Sequence, residues 1–207
     1  DTFNQINPVL LSTHGRYVRA DEGKFKTEGG VIGIEGKEIT LGEEGNALAS
    51  AARAARKFYP PDGTSPDPIQ YLAPQYCTWI ALGENQSQEG VLDFARSLKA
   101  AGFPPGLIII DDSWQRDYGD WRFTDAFPDP KAMFEELKSM GFKTSLWIVP
   151  YISENAPAFK KLYNGGAILR RGNEISYAKW WKATTPALDL KASAAVEWLT
   201  ETLDGLR

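Results

Sequence analysis

One cysteine and one histidine in 207 residues leave little room for metal or thiol chemistry. Cys77 has no second thiol with which to form a disulfide or a zinc site. As a nucleophile and base couple, Cys77 and His14 would have to meet across 63 residues with no local signature around either. The chain has no H-E-x-x-H, no G-x-x-x-x-G-K-[ST] and no G-x-G-x-x-G. Its early glycines, Gly29, Gly30, Gly33, Gly36, Gly42 and Gly45, punctuate short alternating runs such as Val31-Ile32-Gly33-Ile34. That pattern predicts β-turns between strands rather than a phosphate cradle. No apolar run approaches the ~18 residues of a membrane-spanning helix. Scattered charges that sum to only -4 argue against a nucleic-acid or membrane partner. The first residue is Asp1, without Met or a signal-type segment, so the chain reads as a processed or trimmed product whose address no leader reveals.

What the chain does have is carboxylates and aromatics, with seven tryptophans and eight tyrosines. Aromatic faces stack on the C–H faces of sugar rings while carboxylates accept from sugar hydroxyls, so a carbohydrate site competes with plain core packing. Composition changes near residue 60. Residues 1–60 read as a β-rich segment followed by a connecting helix over Ala47 to Phe58. Residues 61–74 are a proline-rich joint that predicts no regular element.

From Gln75 onward strands and helices alternate. Strands are expected at Tyr76 to Leu82, Leu107 to Ile110 and Thr144 to Val149. Helices are expected at Ser87 to Ala101, Asp129 to Met140, Pro157 to Tyr163 and Ser193 to Leu203. Strands separated by helices make a parallel sheet with right-handed crossovers. A doubly wound sheet and part of a (β/α)8 barrel both fit, and the lack of a glycine-rich phosphate turn favours the barrel. A complete barrel needs ~200–250 residues. The fold class is therefore α/β: the first part of a (β/α)8 TIM barrel after a short β-rich segment, with residues 75–207 supplying three to four β/α units.

Asp111 and Asp112 directly follow the Leu107–Ile110 strand, at the end where parallel α/β folds place their sites. Neighbouring residues on extended chain point to opposite faces, so one of the two carboxylates is expected to face the site. Such a pair suits a clamp on sugar hydroxyls better than a hydrolytic couple. Trp114, on the loop after them, and Trp147, inside the third strand, are the aromatic candidates. Trp180, Trp181, His14 and Arg16 are secondary ones, and Asp117 to Trp121 reads as a loop over the barrel mouth.

Several blocks together resemble glycoside hydrolase family 31. They are Pro74-Gln75-Tyr76-Cys77-Thr78-Trp79, Gly102-Phe103-Pro104-Pro105-Gly106 leading into Ile110-Asp111-Asp112-Ser113-Trp114-Gln115, Phe127-Pro128-Asp129-Pro130, and Leu146-Trp147-Ile148-Val149-Pro150. Asn7 to Ser12 with Gly15 to Val18 resembles the tail of the β-sandwich domain that precedes the family's barrel. The resemblance implies retaining hydrolysis of a terminal α-glycosidic bond by two carboxylates, without metal or other cofactor. It implies that Asp111 clamps hydroxyls of the reacting ring and that Trp147 walls that subsite, with Asp112 and Trp114 next in line. The Ile-Asp-Asp-x-Trp form is also similar to the related α-galactosidases, so an α-galactoside is as credible a substrate as an α-glucoside.

The family's nucleophile sits on the fourth barrel strand, in a motif like Gly-x-Asp-Gly-Phe-Lys-x-Asp, and its acid comes later. Asp189 and Asp204 do not match those positions. The catalytic pair is therefore expected after Arg207, in the remainder of the barrel, and the chain alone is expected to be inactive. A non-catalytic carbohydrate-binding or scaffold protein is the alternative. A sugar substrate and the trimmed start suggest an exported protein, periplasmic or extracellular.

Overall fold

The computed structural model describes residues 8–206. Asp1 to Asn7, including the first residue of the Asn7–Ser12 block, and Arg207 lie outside the described residues. The chain divides into two compact units, residues 1–65 and 66–207.

In the first unit, β1 (Val9–Leu11), β2 (Arg16–Glu28) and β3 (Val31–Glu43) form an antiparallel sheet in that order, followed by α1 (Leu48–Ala55). Gly29 and Gly30, at φ 56° and 78°, make the turn between β2 and β3, the conformation a two-residue hairpin demands. The other glycines correct the expectation of several short strands. Gly33 and Gly42 pair in register inside β3, opposite Lys26 and Tyr17. Gly42 is there because the Tyr17 ring lies against it, where any Cβ would clash.

The second unit begins inside the expected joint. Contrary to expectation, that joint holds a one-turn helix, α2 (Ile69–Leu72). Pro68 stands before its first turn, where no backbone donor is needed, and the Asp67 carboxylate accepts from the Ile69 N–H at 3.0 Å. Then come β4 (Gln75–Cys77), α3 (Trp79–Leu82), α4 (Gln88–Ala100) and β5 (Leu107–Ile110). A hairpin, β6 (Gln115–Asp117) and β7 (Asp120–Phe123), precedes α5 (Pro130–Ser139) and β8 (Lys143–Leu146). The remaining elements are α6 (Phe159–Asn164), β9 (Arg170–Arg171), β10 (Glu174–Ile175), β11 (Tyr177–Lys179), β12 (Thr184–Pro186) and α7 (Ser193–Asp204).

β4, β5 and β8 form one parallel sheet in that order, with Cys77 opposite Ile109 and Ile109 opposite Ser145. Among the described residues this three-stranded sheet is open, and no closed barrel forms. Leu188 makes only a single bridge to Ile168. The first strand is shorter than expected: after Cys77 the chain turns helical, so Trp79 to Leu82 belong to α3. β8 likewise ends at Leu146, which puts Trp147 just past the strand end rather than inside it. The stretch expected as a mouth loop is the β6–β7 hairpin with Trp121 buried.

Local chemistry explains the helices. Ser87 caps α4 by accepting from the Gly90 N–H at 3.1 Å. Asp129 caps α5 by accepting from Ala132 N–H at 3.0 Å, ahead of Pro130 in the first turn. Ile108 and Ile110 are fully buried against Val91 and Ala95 of α4 and Met133 and Leu137 of α5. At the opposite ends of the strands, Gly106 lies flat against the Pro74 carbonyl. A Cβ there would overlap the carbonyl oxygen and sit 3.1 Å from its carbon, both backbone atoms that cannot swing aside. Gly106→Ala is therefore expected to lower the unfolding free energy by about 3 kcal/mol, read from the midpoint shift in urea denaturation.

Candidate active site

The C-terminal ends of β4, β5 and β8 open into a cleft of about 290 Å³ lined by Cys77, Trp79, Ile80, Asp111, Trp147 and Trp181. Each strand contributes from the residues where its ladder stops. β4 delivers Cys77, and two residues on the start of α3 delivers Trp79; β5 delivers Asp111; β8 delivers Trp147. Trp181 comes from the tip of the β11–β12 hairpin.

Asp111 is the carboxylate lining this cleft, and its setting is well defined. Its Oδ1 accepts from the Asp112 N–H at 2.7 Å and its Oδ2 from the Cys77 thiol at 2.8 Å. Its own N–H donates to Thr78 Oγ1 at 3.1 Å, and that buried hydroxyl donates to Gln86 Oε1 at 2.8 Å. Each carboxylate oxygen has a second lone pair, so Asp111 retains acceptor capacity toward a ligand.

The two neighbouring aspartates diverge as extended chain requires, and Asp112 is not a cleft residue. It is 1% exposed. Its Oδ1 accepts from Ser113 N–H at 2.8 Å and Gln115 Nε2 at 3.0 Å, and its Oδ2 from the Tyr118 hydroxyl at 2.8 Å. Ser113, at φ 77°, turns the chain sharply enough for that local bond. Trp114 is a second correction. The indole is fully enclosed against Phe123, and its Nε1 donates to the Trp147 carbonyl at 2.8 Å. A side chain buried to that extent has no face free for a sugar. A tryptophan after two aspartates resembled a wall; it is an anchor.

Trp147 stacks at 22° on Trp180, with 6.3 Å between ring centroids. Trp180 is itself buried, its Nε1 donating to Thr185 Oγ1 at 3.0 Å, so it backs the wall without lining it. Trp181 is half exposed and meets Trp79 edge-on at 5.5 Å. His14 and Arg16 belong to the first unit, both exposed, with the His14 N–H on Ser12 Oγ at 3.1 Å. The cleft is built from the second unit.

Sequence reasoning passed over Cys77 and Trp79 as cleft residues, although the rule that singled out Asp111 applies equally to the end of β4. Tyr118 was read only as part of the Asp117 to Trp121 mouth loop, and nothing in the sequence marked Lys182. Among the described residues no group of three His, Cys, Asp or Glu is placed to hold a metal ion, and no helix is long and apolar enough to cross a membrane.

Burial, and then the hydrogen bond to Asp111, push the Cys77 thiol up from its ordinary range. Burial, and then the hydrogen bond to Asp112, push the Tyr118 phenol far above the tyrosine range. Both groups hold their protons in the folded protein at pH values where the unfolded chain releases them. Their contribution to stability is complete below the ordinary thiol range and is lost as pH climbs through the raised values. Thermal stability is expected to decline above about pH 9, and Tyr118→Phe to flatten the upper part of that decline in melts taken from pH 7 to 11. Asp111→Asn removes the negative neighbour, so iodoacetamide is expected to alkylate Cys77 faster at pH 8 in that variant.

A model of the glycosyl hydrolases family 31 TIM-barrel domain matches residues 68–206. Myogenesis-regulating glycosidase of Mus musculus is 28% identical over 155 residues, covering 73% of this chain and 22% of that protein. An alpha-xylosidase of Emericella nidulans is 30% identical over 132 residues, covering 60% of this chain and 17% of that protein. The chain thus spans about a fifth of the length of these relatives. Among solved structures, an alpha-galactosidase from Thermus thermophilus superposes with a TM-score of 0.63 at 23% identity, covering 94% of this chain and 41% of that one; this shows a shared fold. With the family model running through every strand and helix that forms the cleft, the chain belongs to glycosyl hydrolase family 31.

Proposed function

We propose that this chain is the opening part of the catalytic barrel of a retaining α-glycosidase, and that its cleft holds the terminal sugar ring of an α-glucoside or α-galactoside. The observation that carries this reading is Asp111, a carboxylate held by Cys77 and the Asp112 N–H, facing a cleft walled by Trp79, Trp147 and Trp181. A charged acceptor among aromatic faces suits a sugar, with hydroxyls at its edge and C–H groups on its faces. Binding the ring through groups that touch its hydroxyls positions the anomeric carbon for chemistry done by others.

A retaining mechanism needs two carboxyl groups ~5 Å apart across the scissile bond. The cleft presents Asp111 as its carboxylate, so the nucleophile and the general acid/base are assigned to sequence outside residues 1–207, in the rest of the barrel. Burial of Asp112 leaves the sugar clamp with one carboxylate where a two-aspartate clamp would have two. The Emericella nidulans relative, named an alpha-xylosidase, adds an α-xyloside as a third candidate.

The test is hydrolysis of p-nitrophenyl α-D-galactoside, α-D-glucoside and α-D-xyloside by the intact natural gene product, with proton NMR of the first sugar anomer released. Turnover with the α-anomer appearing first is the expected result. A β-anomer first would overturn retention. No turnover combined with saturable monosaccharide binding would make this a sugar-binding protein without chemistry.

A further inference from the structure

The β11–β12 hairpin carries Trp180, Trp181 and Lys182 on the four-residue connection Trp180 to Ala183, closed by the Trp180 N–H on the Ala183 carbonyl at 2.9 Å. Its strands are three residues each, too short to hold their own geometry, because an isolated hairpin of this kind is at best marginally stable. Trp180 plugs one side of the tip into the aromatic cluster of Tyr118, Trp147 and Tyr151. Trp181, which lines the cleft, has no such burial: it is half exposed, and among the described residues its one ring contact outside the hairpin is Trp79.

Lys182 supplies the missing restraint. Its ammonium hydrogen-bonds Glu84, on the loop after α3, and lies 3.7 Å from the buried Oδ2 of Asp112, which follows β5. The same ammonium sits 5.4 Å from the centroid of the Trp181 ring. One cation therefore ties the hairpin tip to two separate segments, the loop after α3 and the residues after β5, and packs on the ring that walls the cleft.

We propose that Lys182 is a positioning residue: it latches the hairpin across the cleft and holds Trp181 edge-on to Trp79, in the place where it meets the sugar. The inference rests on the glycosidase reading. Lys182 does not line the cleft and acts through Trp181 and Asp112. A latch of this kind affects how well substrate is held before chemistry and leaves the reacting atoms alone. Its signature is consequently in KM rather than kcat. Because the Glu84 side chain is 63% exposed, that arm of the latch also weakens with salt.

The experiment uses the intact gene product, whichever of the three p-nitrophenyl glycosides it hydrolyses, and three variants. Lys182→Met is expected to raise KM about tenfold with kcat within about twofold. Lys182→Arg keeps the charge and is expected to return KM to within about threefold of the parent. Glu84→Gln leaves Asp112 paired, guards against misfolding as an explanation, and is expected to raise KM less than Lys182→Met while erasing part of its salt dependence. Acrylamide quenching of tryptophan fluorescence, measured without substrate, is expected to increase in Lys182→Met. An unchanged KM beside a parent that turns over would overturn the latch and leave the glycosidase reading intact. Loss of kcat and thermal stability together, with KM unmoved, would make Lys182 a purely structural residue and overturn it too. If the parent hydrolyses nothing, the glycosidase reading falls, and the latch is decided by quenching alone: no change in Lys182→Met rejects it.

Discussion

Asp111→Asn is expected to lower kcat/KM of the intact enzyme about a thousandfold, with a melting temperature close to that of the parent. The size follows from what a carboxylate does for a sugar. Hydrogen bonds to a charged acceptor contribute about 1.5–3 kcal/mol each, and two of them account for a loss of this order. The stability expectation follows from the geometry. The side-chain amide is the same shape as the carboxylate, so its oxygen can keep the Asp112 N–H at the 2.7 Å site while its NH2 turns to the Cys77 sulfur. The partners that hold residue 111 in place thus survive, and the charge presented to the cleft does not. Steady-state kinetics with a thermal melt of the same preparation checks both halves. An unchanged kcat/KM would remove Asp111 from the site.

The neighbouring substitution is expected to do the reverse. Asp112→Ala should lower the unfolding free energy by about 4 kcal/mol. Ser113 N–H, Gln115 Nε2 and the Tyr118 hydroxyl all donate to this one enclosed carboxylate, and Lys182 stands 3.7 Å away. Alanine leaves those groups facing a cavity from which water is largely excluded. Each buried polar group that loses its partner costs about 1–3 kcal/mol. The left-handed turn at Ser113 also loses the acceptor that compensates its strain. Asp112→Asn, which retains one acceptor oxygen, should cost less than half as much. Guanidinium denaturation measures the difference, and a loss under about 1 kcal/mol would mean that Asp112 does not anchor these groups. Two adjacent carboxylates thus separate into one read by kinetics and one read by unfolding.

Much of the second unit was legible from residue patterns because its signals are local. Ser87 and Asp129 cap their helices with their own side chains, and Leu107 to Ile110 has the unbroken branched apolar character of a strand covered on both faces. Errors arose where a distant contact decides the outcome. The alternation from Tyr76 to Leu82 reads as one strand, yet β4 ends at Cys77, where the chain turns into α3. Gly33 and Gly42 look like turn residues until the Tyr17 ring and the β2 register show why the strand runs through them.

The site divides along the same line. That Asp111 stands at the end of a buried parallel strand follows from sequence, since β propensity, strand length and the position of the first charge are all local properties. So does the divergence of Asp111 and Asp112, because successive side chains on extended backbone must point to opposite faces. The residue pattern alone could not say which of the two faces the cleft; the family resemblance ranked Asp111 first without giving a physical reason. Which one does depends on Tyr118, Gln115 and Lys182, brought to Asp112 by a hairpin and a loop that lie six, three and seventy residues away. Nor could it separate Trp114, a core anchor, from Trp181, a cleft wall, since a tryptophan serves equally well in either place. Burial is a property of the assembled surface, and only the tertiary structure decided which aromatic faces were left for a ligand.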